Sequence, residues 1–233
     1  MFPDPISHAL NDYLSGQRDQ NIIVHCDLAE DDVMEVDYFF RTPTDLPERE
    51  KIALNRCGKK VLDVGACVGA HAFPLSKEGH QVMAIDTSRG AVDYLKSKNI
   101  PSEVVSFLAY TENDYDTLLF LMNGIGIAGK LEELDHFLQH CSSLLKTGGN
   151  LLCDSTDVRY FYEDDEGAVW MDLNAEYYGE FSFQLVYKET QGEWFNWLYL
   201  DYETLEKYAL KNGFSCTILH QDESEFLAEL IKL

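Results

Sequence analysis

Between Lys60 and Asp154 the sequence alternates short apolar strands with amphipathic helices, which predicts an α/β fold with a parallel sheet covered by helices on both faces. Two further observations support this class. The first strand runs into a glycine-bearing turn and then a helix, the crossover of a doubly wound sheet. The second strand ends in an acid, Asp86, at the edge where such sheets bind ligands.

Taken in order, Pro5 to Leu14 is expected as a helix, and Gln20 to Leu28 holds an apolar Ile-Ile-Val run. Asp45-Leu46-Pro47-Glu48 has the chemistry of a helix start. Asp45 can accept from free amides, Pro47 costs nothing in a first turn, and Glu48 suits a capping box. That helix is expected to reach Arg56 and stop at Gly58.

The patterned core follows. Val61 to Val64 is a strand, His71 to Glu78 a helix, Gln81 to Ile85 a strand, and Arg89 to Lys98 a helix. Ser102 to Phe107 and Asp116 to Met122 are the third and fourth strands. Leu131 to Leu145 is a helix, and Thr147-Gly148-Gly149 turns into a fifth strand, Asn150 to Asp154.

After Asp154 the texture becomes aromatic and acidic. Phe181 to Lys188 and Trp194 to Leu200 are expected strands around a turn at Gln191-Gly192. Tyr202 to Lys211 is a helix stopped by Gly213, and Phe214 to His220 with Glu225 to Lys232 forms an antiparallel hairpin.

Composition bounds the partners. The 233 residues carry 18 Lys plus Arg against 41 Asp plus Glu, a formal charge of −23. A chain so acidic, without a basic stretch, is repelled by phosphate backbones and anionic lipid, so neither nucleic acid nor membrane is an expected partner. The longest uncharged run, Thr117 to Gly129, has 13 residues, short of the roughly 18 a membrane helix needs. Six cysteines without paired spacing, and a start lacking the basic and apolar regions of a secretory signal, suggest reduced thiols in the cytoplasm.

The decisive segment is Val61-Leu62-Asp63-Val64-Gly65-Ala66-Cys67-Val68-Gly69. Gly65 permits a tight turn, Gly69 lets the next helix pack close, and that helix aims its amides at a bound anionic group. Asp86, 17 residues beyond Gly69, is placed to accept both hydroxyls of a ribose. Together they describe an adenosine-type site. Cys67 and Ala70 stand where a dinucleotide fingerprint wants glycine, and no Gly-Lys-Ser/Thr triplet supplies a phosphate loop. A nucleoside with a methionine tail suits the site better: Asp63 would neutralise its ammonium, and the amides from Ala66 to Gly69 would meet its carboxylate.

This segment resembles the first motif of the class I S-adenosylmethionine-dependent methyltransferases, and Ile85-Asp86 resembles their second. Tyr115-Asp116, and Leu145-Lys-Thr-Gly148-Gly149-Asn-Leu-Leu, match at the right intervals. The resemblance covers roughly residues 57 to 157. It implies a Rossmann-like class I methyltransferase fold: a seven-stranded, mostly parallel sheet with helices on both faces, its last strand antiparallel beside the fifth. To this are added an N-terminal helical segment and a β-hairpin insertion after strand five. The expected organisation is a single domain, with an N-terminal cap (1–56), a cofactor-binding core (57–158), an acidic and aromatic substrate region (159–200) and a closing helix and hairpin (201–233). The resemblance also implies S-adenosylmethionine as cofactor, held by Asp63, Gly65, Ala66, Cys67, Gly69, Asp86, Thr87, Ser106, Phe107, Met122 and Asn123. Cys67 departs from the usual glycine. Ser106 stands where an acid often contacts the adenine amine, with the Phe107 backbone as a substitute.

Asn123, in the loop after strand four, either contacts the cofactor or acceptor or is a polar turn residue beside Gly124. It and Asp154, at the tip of strand five, are the catalytic candidates. His136 and His140, four apart on a helix, read as surface histidines, so no metal is expected. Glu163 to Glu166 reads as a solvated acidic loop. Aromatic residues crowd between Tyr160 and Tyr202, Trp170 among them; most are expected to pack and the rest to roof the site by stacking or cation–π contact.

The expected activity is methyl transfer to a small-molecule acceptor of unspecified atom, with oligomeric state open. A non-catalytic nucleotide sensor or scaffold on the same fold is the alternative. A nicotinamide-dependent oxidoreductase is disfavoured by Cys67 and Ala70.

Overall fold

The computed structural model describes residues 3–163 and 176–233. Asp164, Asp165 and Glu166 of the acidic run, and Trp170, lie outside the described residues.

Helix α1 (Pro5–Leu14) begins at Asp4, whose side chain accepts the Ser7 amide at 2.8 Å. Strands β1 (Ile22–Cys26) and β2 (Asp32–Met34) follow, then a 3-10 turn at Val36–Phe40 and α2 (Glu48–Arg56). Asp45 does not cap α2. It folds back on Thr42, accepting its amide at 2.8 Å and its hydroxyl at 2.6 Å, and Pro47 takes the cap position without a side-chain bond. The helix ends at Cys57, one residue before the expected glycine.

The core continues as β3 (Lys60–Val64), α3 (Ala72–Lys77), β4 (Gln81–Asp86), α4 (Arg89–Ser97), β5 (Ser102–Val104) and β6 (Tyr115–Phe120), then α5 (Leu134–Leu144) and β7 (Leu145–Thr156). Strand β5 is shorter than expected. The chain leaves the sheet at Val105 and a 3-10 turn, Phe107–Ala109, buries the Phe107 ring against Phe120 and Phe137. A 3-10 turn at Leu131–Glu133 likewise replaces the first turn expected for α5.

Past the insertion come β8 (Glu180–Tyr187), β9 (Thr190–Gln191), β10 (Phe195–Leu198), α6 (Tyr202–Lys211), β11 (Phe214–Asp222) and β12 (Glu225–Lys232). The tight turn falls at Lys188-Glu189 rather than Gln191-Gly192, because Tyr187 pairs with Thr190. Asp201 caps α6 through the Thr204 amide at 2.8 Å.

Seven strands form one sheet in the order β11-β12-β7-β6-β3-β4-β5. Strands β3 to β7 pair in parallel, and β12 inserts antiparallel between β7 and β11. Alternation along β6 sends Leu118 and Phe120 toward α5 and α6, and Leu119 and Leu121 toward α2, α3 and α4. Both faces are dry.

A second, antiparallel sheet has the order β10-β8-β1-β2, with β9 on β8. The N-terminal segment and the insertion are therefore not separate appendages. Ile23 pairs with Val186 and Cys26 with Phe183, so residues about 160 positions apart share one layer. Helix α1 ties this layer to the core by capping α4: the Gly90 amide donates to Ser7 Oγ at 2.5 Å and the Arg89 amide to Asp4 at 3.0 Å. Leu10, Ile22, Val36 and Tyr187 then close over Val68 and Ala91.

Candidate active site

The carboxyl ends of β3, β4, β6 and β7 converge beneath the second sheet. Gly65 leaves β3 with φ +69, and the space where a Cβ would project meets only Ile127 Cδ1, at 3.7 Å. A side chain there would be strained and would intrude on the gap between the turn and the loop after β6. Gly69, at φ +89, has Leu95 Cδ2 2.7 Å from the same position, so its role is close helix packing.

The amides of the turn are used differently from expectation. Gly65 and Ala66 both donate to the Ile85 carbonyl, at 2.9 and 3.2 Å, and Gly69 donates to Ala66. The Cys67 amide donates to Asp86 Oδ2 at 2.8 Å. The parallel neighbour β4 supplies these acceptors because its end overhangs the turn. Ala66, Cys67 and Gly69 are thus brought to the site, but their amides do not face an anionic ligand.

Asp86 holds two donors, the Cys67 amide on Oδ2 and the Ser88 amide on Oδ1. Ser88 in turn caps α4. Capping and ligand binding are compatible, since a carboxylate has about four lone-pair positions. Burial raises the Asp86 pKa against the pull of those amides. Thr87 is exposed beside it.

Asp63 is 2% exposed at the end of β3, and its Oδ2 has no hydrogen-bond partner among the described residues. Burial raises its pKa to about 6, with the charge of His71 pulling the other way. An orphaned, dry carboxylate oxygen beside an open turn fits a ligand ammonium.

At the adenine edge, the Phe107 carbonyl is taken by the Tyr110 amide at 3.0 Å and His140 Nε2 at 3.0 Å. It cannot stand in as the adenine acceptor. This also gives His140 a structural partner, while His136 is exposed. Ser106 remains exposed at the start of the same turn.

At the other edge, Met122 and Asn123 both adopt left-handed backbone, φ 62 and 58. Such residues store strain of about 1 kcal/mol or more each and need external support. Asp154 Oδ1 supplies it by accepting the Asn123 amide at 2.8 Å, and Thr156 Oγ1 donates to Asn123 Oδ1 at 2.9 Å. Asp154 is 2% exposed, and its Oδ2 accepts from Arg49 Nε at 3.2 Å. Arg49 also grips Glu225 with both terminal nitrogens, at 2.7 and 2.9 Å.

Sequence reasoning missed four residues here: Arg41, Arg49, Glu50 and His71. Arg41 Nη1 donates to Glu50 Oε1 at 3.0 Å, and among the described residues Nη2 has only the Met122 thioether, a weak acceptor, at 3.0 Å. Glu50 Oε2 meets His71 Nε2 at 2.7 Å. One signal was present. Glu50 shares the spacing of Ala53 and Cys57 on α2, a face that turns inward.

The insertion forms the far wall. Ring contacts run from Tyr160 through Phe161, Phe181, Tyr199 and Phe183 to Phe195 and Trp197, with centroid separations between 4.7 and 6.4 Å. Trp197 lies against the 3-10 turn after β6: a Cβ on Gly126 would be 2.2 Å from its indole nitrogen.

A family model described as a methyltransferase domain matches residues 61–149. The chain is 35% identical to an S-adenosylmethionine-dependent methyltransferase from Bacteroides fragilis whose crystal structure holds S-adenosyl-L-homocysteine. That alignment covers 99% of this chain and 96% of that one, with a TM-score of 0.92. The CcbJ methyltransferase of Streptomyces caelestis shares the fold, with 16% identity over 84% of this chain and 98% of that one and a TM-score of 0.61. A cypemycin N-terminal methyltransferase from Streptomyces is 31% identical over 109 residues, 45% of this chain. The match spans 44%, a little under half, of that curated relative.

Proposed function

The chain belongs to the S-adenosylmethionine-dependent methyltransferases, and from that premise we propose that it transfers a methyl group from S-adenosylmethionine to a small-molecule acceptor. The observation that carries this reading is the pair of acids flanking the glycine turn, Asp86 with spare acceptor capacity and Asp63 with an unpartnered oxygen.

In this reading Asp86 accepts the ribose hydroxyls, with Thr87 beside it, and Asp63 takes the ammonium of the methionine tail. Gly65 leaves the space that a side chain would fill. Because the Ala66, Cys67 and Gly69 amides are used internally, Arg41 supplies the positive charge for the tail carboxylate, its Nη2 having only a thioether partner among the described residues. Ser106 lies at the adenine edge, and Met122 and Asn123 line the methionine end.

The cofactor, when bound, supplies a methyl carbon already activated by its sulfonium. The protein's task is then alignment and exclusion of water. Asn123, held by Asp154 and Thr156, orients the methionine end or the acceptor. Asp154 acts as its support rather than as a base, since taking a proton would forfeit its ion pair with Arg49. The aromatic line from Phe161 to Trp197 forms the acceptor wall, and its ring faces suit a neutral ring or a cationic acceptor.

No helix among the described residues is long and apolar enough to cross a membrane. The six cysteines are free thiols, which suits the reducing cytoplasm we assign to the protein.

Calorimetric titration with S-adenosyl-L-homocysteine, followed by methyl transfer from labelled S-adenosylmethionine to a metabolite extract, tests the proposal. Binding with transfer supports it. Binding without transfer to any extract favours the sensor, and no binding at millimolar ligand by the folded protein overturns both.

A further inference from the structure

A series of alternating charges crosses the layer between α2 and the glycine turn. Arg41 donates to Glu50 at 3.0 Å, Glu50 meets His71 at 2.7 Å, and the charge of His71 acts on Asp63. Glu50 is fully buried; the Arg41 side chain, His71 and Asp63 are each less than a tenth exposed. With His71 protonated the signs run plus, minus, plus, minus, and the final oxygen, Asp63 Oδ2, has no hydrogen-bond partner among the described residues. Buried polar atoms are normally hydrogen-bonded, so the unpartnered oxygen at the end of this series fits a cationic donor from a ligand.

We propose that Glu50 and His71 are positioning residues for the cofactor ammonium: Glu50 fixes His71 as an imidazolium, and that charge keeps Asp63 an open carboxylate. The inference rests on the S-adenosylmethionine reading and extends it to residues outside the turn. It also makes the cofactor site depend on the N-terminal segment that carries Arg41 and Glu50.

The electrostatics have the required signs. Burial opposes the charge on His71, but the hydrogen bond to Glu50 and the charges of Asp63 and Glu50 outweigh it and raise the pKa. Burial likewise opposes charge on Glu50, yet His71 and Arg41 lower its pKa overall. Burial is the largest influence on Asp63, His71 is the largest influence opposing it, and the Ala72 amide helps. The other titratable groups facing Asp63 are Asp86 and Glu50, which push its pKa up, and Cys57, whose thiol is raised to about 12 and therefore neutral.

The test is calorimetric titration of S-adenosyl-L-homocysteine into the full chain between pH 5.5 and 8.5, for the wild type, His71→Gln, Glu50→Gln and Asp63→Asn. Without the imidazolium, the Asp63 pKa rises and the ligand meets a neutral acid near neutrality. For a rise of about one pKa unit in Asp63, His71→Gln is expected to lose about threefold in affinity at pH 6.5 and about eightfold at pH 5.5, and to match the wild type by pH 8.5. Glu50→Gln should show the same pH-dependent loss, and carries the comparison should His71→Gln fail to fold. Asp63→Asn should bind weakly at every pH. A uniform loss across the pH range in His71→Gln and Glu50→Gln, or no loss, would overturn the positioning role while leaving the cofactor reading intact. Failure of the folded wild type to bind would instead overturn the cofactor reading itself.

Discussion

Asp86 Oδ2 accepts the Cys67 amide at 2.8 Å, so the acid that ends the second strand also closes the turn that follows the first. Cys67 needs that support. It adopts φ 45, a left-handed conformation that glycine enters freely and a β-carbon resists by about 1–2 kcal/mol. The departure from the family's usual glycine is thus offset by a side chain on the neighbouring strand.

Replacing Asp86 by alanine should therefore damage two things together. The proposed ribose acceptor is lost, and the Cys67 and Ser88 amides lose theirs. Hydrogen bonds to a charged group contribute about 1.5–3 kcal/mol, which corresponds to at least tenfold in affinity for S-adenosyl-L-homocysteine. Calorimetry and a thermal melt measure both effects; unchanged affinity in a folded variant contradicts the ribose assignment.

Asp63 should trade stability for binding. Its pKa is about 6 in the folded protein and near 3.8 when unfolded, so between these values the folded state binds the extra proton. Stability conferred by the neutral acid is lost as pH rises through that window, and at pH 7.5 the ionised group costs about 3 kcal/mol, a figure that follows from the shift alone. Asp63→Asn removes that cost. The ligand-free variant is expected to melt several degrees higher than the wild type at pH 7.5, to show little difference at pH 4, and to bind S-adenosyl-L-homocysteine poorly. A lower melting temperature at pH 7.5 is the contrary result.

The parallel sheet was legible because its signals are local: apolar strands, amphipathic helices, and glycines and acids at fixed intervals. The antiparallel layer was not. Strand β1 finds its partner in β8, and nothing in Ile22–Cys26 specifies pairing with a segment so distant in sequence. The site divides similarly. Gly65, Gly69 and Asp86 announce themselves by spacing, whereas Glu50 and His71 interact across 21 positions and become visible only when α2 packs beside the turn. The amides of Ala66 and Cys67 were misassigned because sequence shows a free turn, not the β4 acceptors that overhang it.

Gly126 should separate the acceptor side from the cofactor side. A β-carbon there would stand 2.2 Å from the Trp197 indole nitrogen and displace the aromatic wall, with an overpacking cost of about 1–3 kcal/mol. Gly126→Ala should reduce kcat/KM for the acceptor at least tenfold while S-adenosyl-L-homocysteine affinity stays within about threefold, since Asp63 and Asp86 are untouched. Equal losses in both would place Trp197 in support of the cofactor pocket instead.

Asp154 offers the clearest test of whether the chain supplies a base. Burial raises its pKa to about 6, opposed by Arg49 and by the Asn123 amide, so it is ionised at neutral pH and superficially suited to accept a proton. Its ion pair argues otherwise, because taking a proton would forfeit the charge that Arg49 compensates. One oxygen holds the left-handed Asn123 backbone and the other holds Arg49, which keeps Glu225 as a second anchor. Asp154→Asn retains an oxygen for the Asn123 amide and abolishes basicity. If the residue supports the loop, transfer should remain within about threefold of wild type and the pH–rate profile should keep its shape above pH 6.5. A general base contributes about 100-fold or more, so a loss of that size together with disappearance of the rising limb near pH 6 would make Asp154 the proton acceptor.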